Sequence, residues 1–127
     1  MTPIDSLPAI VERCQQVLAH AWMVRTFVKH SEEAEDSPEL MTIARTVFDT
    51  ARALETRTDD PAGYLHLLRK KLGRLRSAAD GFRRDAPRVS AHMNFQQAVV
   101  SMDVCVAELE RLLERGQQLQ TSGEPGA

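Results

Sequence analysis

Apolar residues recur along this chain in alternating steps of three and four, the spacing that gathers one face of an α-helix. Leu7, Ile10, Val11, Cys14, Val17, Leu18, Ala21, Val24 and Val28 form one such stripe, and Leu40, Ile43, Ala44, Val47, Phe48, Ala51 and Leu54 form a second. Leu65, Leu68, Leu72, Leu75, Ala79 and Phe82 form a third, and Phe95, Val99, Met102, Val106, Leu109 and Leu113 a fourth. Thr2-Pro3, Ser37-Pro38 and Asp60-Pro61 each put a capping oxygen before a proline, whose missing N–H costs nothing at a first helical position. A fourth start is expected at Asp85-Ala86-Pro87 or at Ser90, with Gly116 as the stop, because glycine readily takes the left-handed conformation that closes a helix. The predicted helices span residues 3–30, 38–57, 61–84 and 88–115. Connections of roughly three to seven residues make sequential helices antiparallel neighbours. The expected fold is all-α, an antiparallel up-down-up-down four-helix bundle over residues 1–116. Residues 117–127, rich in Gln, Gly, Ser and Pro, carry no stripe and are expected to form a disordered tail.

Composition narrows the picture without changing it. The 127 residues are 43% hydrophobic, 27% charged and 5% aromatic, with six glycines and six prolines, which suits one helical domain and not a turn-rich β-sandwich. No window approaches a membrane span, and Met1-Thr2-Pro3-Ile4-Asp5 lacks the basic region and apolar core of a secretory signal, so a cytoplasmic location is expected. Thirteen arginines against three lysines fit a GC-rich bacterial genome. Charge is segregated: residues 32–60 carry nine acids and three bases, and residues 61–88 carry eight bases and two acids. The second and third helices should therefore attract each other. The basic residues spread around the third helix without interleaved aromatics, and the sequence pI is near 6.1, so nucleic acid is not the expected partner.

Arg25 is anomalous, since it falls within the first helix's apolar stripe between Ala21 and Val28, where an isolated guanidinium would cost several kcal/mol. His92, three residues before Phe95, continues the fourth stripe toward the same end of the bundle. One reading is a site for a small anion or polar ligand built from Arg25, His30, His92 and Asn94, with Arg83 and Arg84 nearby and the helix N-termini at Ser37 and Ser90 adding N–H donors. The competing reading pairs Arg25 structurally with a carboxylate of the loop Glu32–Asp36 or with Glu39. No histidine follows a ligand residue three positions earlier, so no metal is expected, and no phosphate-binding or hydrolase motif points to a cofactor. Cys14 and Cys105 are expected to be buried free thiols.

The catalytic alternative rests on Arg25 and His30, or Arg13 and His20. Each pair has an arginine followed by a histidine at a spacing that resembles the motif of the helical HEPN ribonucleases, which would imply a small ribonuclease or ligand-processing enzyme. That family's motif lies late in its bundle, whereas both pairs here lie in the first helix. The fourth helix points elsewhere: Met93, Val100, Val104 and Ala107 form an apolar line on the face opposite its stripe. A helix apolar on both sides is covered on both, and self-pairing about a two-fold axis is the commonest cover. The expected function is a non-catalytic helical interaction or assembly module, homodimeric through this line, with another protein as the alternative partner.

Overall fold

The computed structural model describes residues 5–122, which are all-helical with no strand among them. Five helices occur: α1 (Leu7–Lys29), α2 (Glu32–Glu35), α3 (Pro38–Leu54), α4 (Pro61–Val89) and α5 (Met93–Ser122). The expected start at Thr2-Pro3 lies outside the described residues. Within them Ser6 caps α1 by accepting the Ala9 N–H at 3.2 Å, and Asp60 caps α4 by accepting the Gly63 N–H at 3.1 Å. Ser37 precedes Pro38 as expected, but its hydroxyl donates to the Glu39 carboxylate at 2.8 Å and makes no side-chain bond to a backbone N–H.

Three boundaries differ from expectation, each for a local reason. The segment after α1 contains the extra turn α2, because the Ser31 hydroxyl donates to the Val28 carbonyl and accepts the Ala34 N–H while Ala34 is buried. Asp85-Ala86-Pro87 does not open a helix; α4 runs through it to Val89. Pro87 removes a hydrogen bond only in the last turn, where Ala86 is buried and the Ser90 N–H reaches the Ala86 carbonyl at 3.0 Å. Nor does Gly116 stop α5. It is buried inside the helix, and a Cβ there would lie 2.8 Å from Leu65 Cδ1, so this glycine allows α5 to approach α1 and α4 closely. Residues 117–122 continue as helix, with Leu119 packed against the core, and so are not a disordered tail. Residues 123–127 of the expected tail lie outside the described residues.

α1 packs on α3 and α5, and α4 packs on the same two helices, so the four long helices enclose one core. The stripes supply it. All six seam residues of α4 are buried, as are Phe95, Met102, Val106, Leu109 and Leu113 of α5, with Val99 half-buried. Phe48, expected inside, is 39% exposed and lies across the outer edge of the α1–α3 contact. The expected attraction between the acidic and basic helices is not made through ion pairs: none joins α3 to α4 among the described residues. Two cations of α4 pair with α5 instead, Arg76 with Glu110 and Arg83 with Asp103, while Arg74 and Arg84 line a groove beside α3 without an ion pair to it. These pairs are exposed and contribute little, which leaves apolar burial as the main adhesive.

Leu68 is fully buried, whereas Leu67 on the same turn is only partly so. Leu68→Ala is expected to lower the unfolding free energy by about 2–5 kcal/mol through lost burial and a residual cavity. Leu67→Ala should cost distinctly less. Urea melts of the two variants check this, and equal losses would contradict the assigned inner face of α4.

Candidate functional site

α1 carries Arg25 into the core at 8% exposure. Its guanidinium carbon lies 4.2 Å from the centroid of Trp22, one turn earlier on the same helix, and 5.3 Å from that of Phe48 on α3. The two rings are 5.8 Å apart and tilted by 32°. Stacking on aromatic faces suits a guanidinium because its positive plane meets the negative face of the rings. Its N–H groups need acceptors in the plane, however, and Nε has no hydrogen-bond partner. Neither expected structural pairing is made. No carboxylate of the segment Glu32–Asp36 forms an ion pair with Arg25 among the described residues, and Glu39 is held at the start of α3. There its own backbone N–H and the Ser37 hydroxyl bring its carboxyl below the ordinary range.

Beside Arg25 is a cavity of about 220 Å³ lined by Arg25 and Lys29 of α1 and by Met41, Ala44, Arg45 and Phe48 of α3. It has three cations and no acid. The helical repeat explains the grouping: Arg25 and Lys29 are one turn apart, as are Met41, Arg45 and Phe48, so the two helices present matching rows across the groove. Lys29 and Arg45 were not singled out in the sequence. Lys29 was legible at four residues from Arg25, whereas Arg45 sits in a strongly acidic stretch and nothing in its own surroundings marks it.

The other expected site residues do not join Arg25. His92 is exposed, not turned toward the core, because it precedes α5 and so escapes the helical period. Its carbonyl accepts the Phe95 N–H and its Nδ1 accepts the Asn94 N–H at 3.0 Å, which makes it the cap of α5. Asn94 is exposed beside it. His30 closes α1, with Nδ1 donating to the Thr26 carbonyl at 3.1 Å. Arg83 binds Asp80 and Asp103, and Arg84 lies 3.6 Å from Asp85. Of the residues in the two arginine–histidine pairs, Arg13 and His20 line one groove between α1 and α5, where Arg13 faces Glu108 at 4.0 Å. The cavity at Arg25 contains no histidine.

On α5, Met93, Val100 and Val104 are 58%, 56% and 61% exposed, opposite the buried seam, and Ala107 continues the line. Val100 and Val104 also form one wall of the α1–α5 groove, about 380 Å³ in volume, whose other wall includes Val17 and His20. Asp103 is engaged by Arg83 at 3.1 Å and Arg111 by Glu108 at 2.5 Å, so both charges flanking the line are already met within the chain. Among the described residues no group of histidine, cysteine or acidic side chains is placed to hold a metal, and no helix is long and apolar enough to cross a membrane. No family model, curated protein or solved structure matches this chain.

Cys14 and Cys105 are buried free thiols. Burial, reinforced by the negative charge of Glu108, pushes the Cys14 thiol up to about 12, and burial alone raises Cys105. Because the native state keeps the Cys14 proton that the unfolded chain releases, this site's contribution is fully present below pH 9 and is lost as pH rises from 9 toward about 12. The urea midpoint should fall over that range, and less steeply in Cys14→Ala. An identical slope in both proteins would contradict the burial of this thiol.

Proposed function

We propose that this chain is a non-catalytic assembly module, a cytoplasmic antiparallel up-down-up-down four-helix bundle that pairs with a second copy of itself through the outward face of α5. The short links between the long helices and the pairing of each with two neighbours support the up-down arrangement. The single observation that carries the assembly reading is the exposed line Met93–Val100–Val104 on a helix whose opposite face is already buried. Isolated exposed apolar residues are ordinary, but a continuous line beside an apolar groove marks an interaction surface.

A second copy is the favoured occupant for reasons of shape and charge. An antiparallel crossing about a two-fold axis lays the line on its own image, so one patch serves both sides. The line from Met93 to Ala107 includes no charged residue, with Gln97 as its polar member. Asp103 and Glu108 at its borders already face Arg83 and Arg13. Like copies therefore meet without the repulsion that bare carboxylates would produce. A specific small dimer buries on the order of several hundred Å² per chain, which the line together with the groove wall can supply. The catalytic alternative has weaker support, since the cavity beside Arg25 has no histidine to share a proton transfer.

Val100→Glu and Val104→Lys place charge in the middle of the line, where neither side chain supports the core. Each is expected to convert a dimer into a folded monomer with an unchanged helical spectrum. Sedimentation at micromolar concentration checks this. A wild-type mass of 14.2 kDa, unaltered by either substitution, would overturn self-association.

A further inference from the structure

The cavity between α1 and α3 combines features that a purely structural arginine does not require. Arg25 is more than nine-tenths buried, its guanidinium carbon lies 4.2 Å from the Trp22 centroid and 5.3 Å from that of Phe48, and its Nε–H, shielded from solvent, is without an acceptor. The shielded Nε cannot itself meet a ligand in the cavity, but the terminal guanidinium nitrogens, which form no hydrogen bond among the described residues, can donate to oxygens in their own plane. Lys29 and Arg45 line the same cavity, and neither forms an ion pair with an acidic side chain among the described residues. Three cations lining one cavity without a carboxylate favour an anion among them. A doubly charged oxyanion answers this charge better than a carboxylate, and its tetrahedral oxygens can accept the arginine fork and the lysine ammonium at once. The remaining wall is apolar: Met41, Ala44 and Phe48. At 220 Å³ the cavity is several times the roughly 30 Å³ that one water takes up in the liquid, so it has room for a small organic group beyond the anion.

We propose that this cavity binds a small organic phosphate monoester, with the phosphate held by Arg25, Lys29 and Arg45 and the organic group against Met41, Ala44 and Phe48. Arg25 supplies direction, because its side chain is buried against Trp22 and Phe48 before the ligand arrives. Lys29 and Arg45 supply charge from the rim. The site is separate from the α5 face and does not rest on self-association.

Trp22 is the single tryptophan of the chain and lies against Arg25, so its fluorescence reports on the cavity directly. Phenyl phosphate titrated into the full chain at constant ionic strength should give a saturable change in that fluorescence, with a matching heat in calorimetry. Inorganic phosphate and benzoate should bind more weakly, the first for want of apolar contact and the second for want of charge. Lys29→Gln and Arg45→Gln, both at exposed positions, should each weaken phenyl phosphate about tenfold without changing the melting temperature. Arg25→Lys keeps the charge but loses the fork and should weaken it at least as much; if that variant does not fold, the two rim variants carry the test. Val100→Glu should bind as the wild type does. No saturable change beyond that of sodium chloride, or binding indifferent to both rim substitutions, would overturn the proposal. Benzoate binding as tightly as phenyl phosphate would overturn the assignment to a phosphate.

Discussion

α5 is apolar on two opposite faces, and the core it shares with its helical neighbours buries only one of them. The seam of Phe95, Met102, Val106, Leu109 and Leu113 faces inward and closes the core against α1 and α4. Once that face is committed, Met93, Val100 and Val104 must point outward, whatever the surface chemistry prefers. The cost of leaving such a line in water is modest for each residue, but it accumulates along about four turns of helix, and the hydrophobic effect favours covering it. The proposed self-association follows from that geometry and not from any motif.

The same packing determines what happens to Arg25. Its place on α1 lies within the stripe that the core claims, so its guanidinium has to be accommodated where α1 meets α3. Trp22 and Phe48 provide the accommodation, Phe48 being 39% exposed. Stacking of this kind contributes about 0.5–2 kcal/mol, which offsets some of the penalty for an unpaired buried donor but does not supply the missing acceptor. A structural role would have paired Arg25 with a carboxylate, and the nearby acids were available in sequence. Ser37 holds Glu39 instead, while the arginine shares its cavity with two further cations. The proposed phosphate site rests on that set of neighbours.

The helices were legible because their apolar residues repeat over several turns, long enough for the period to declare itself. Ends were less so. Gly116 and Pro87 are strong local punctuation, yet tertiary packing overrode both: the first lets helices approach closely, and the second falls in a last turn held by Ala86. Of the expected site, only the anomaly of Arg25 carried through. Its neighbours come from a different helix face, and the period of one helix holds no information about which row of the next one it meets. His92 was misplaced for a related reason, since extrapolating a helical stripe one step before the helix begins assigns a direction that a capping residue does not have.

Self-association through α5 can be measured as a distance. Cys14 and Cys105 are buried and protonated at neutral pH, so a nitroxide reagent applied to the folded full chain carrying Ser101→Cys reacts at the new, exposed position beside the line. Two-fold pairing centred between Val100 and Val104 brings the two labels close together across the axis. Pulsed dipolar spectroscopy should then show strong modulation and one narrow distance distribution, lost on adding Val100→Glu. A decay without dipolar modulation at a concentration of tens of micromolar would contradict pairing through this face.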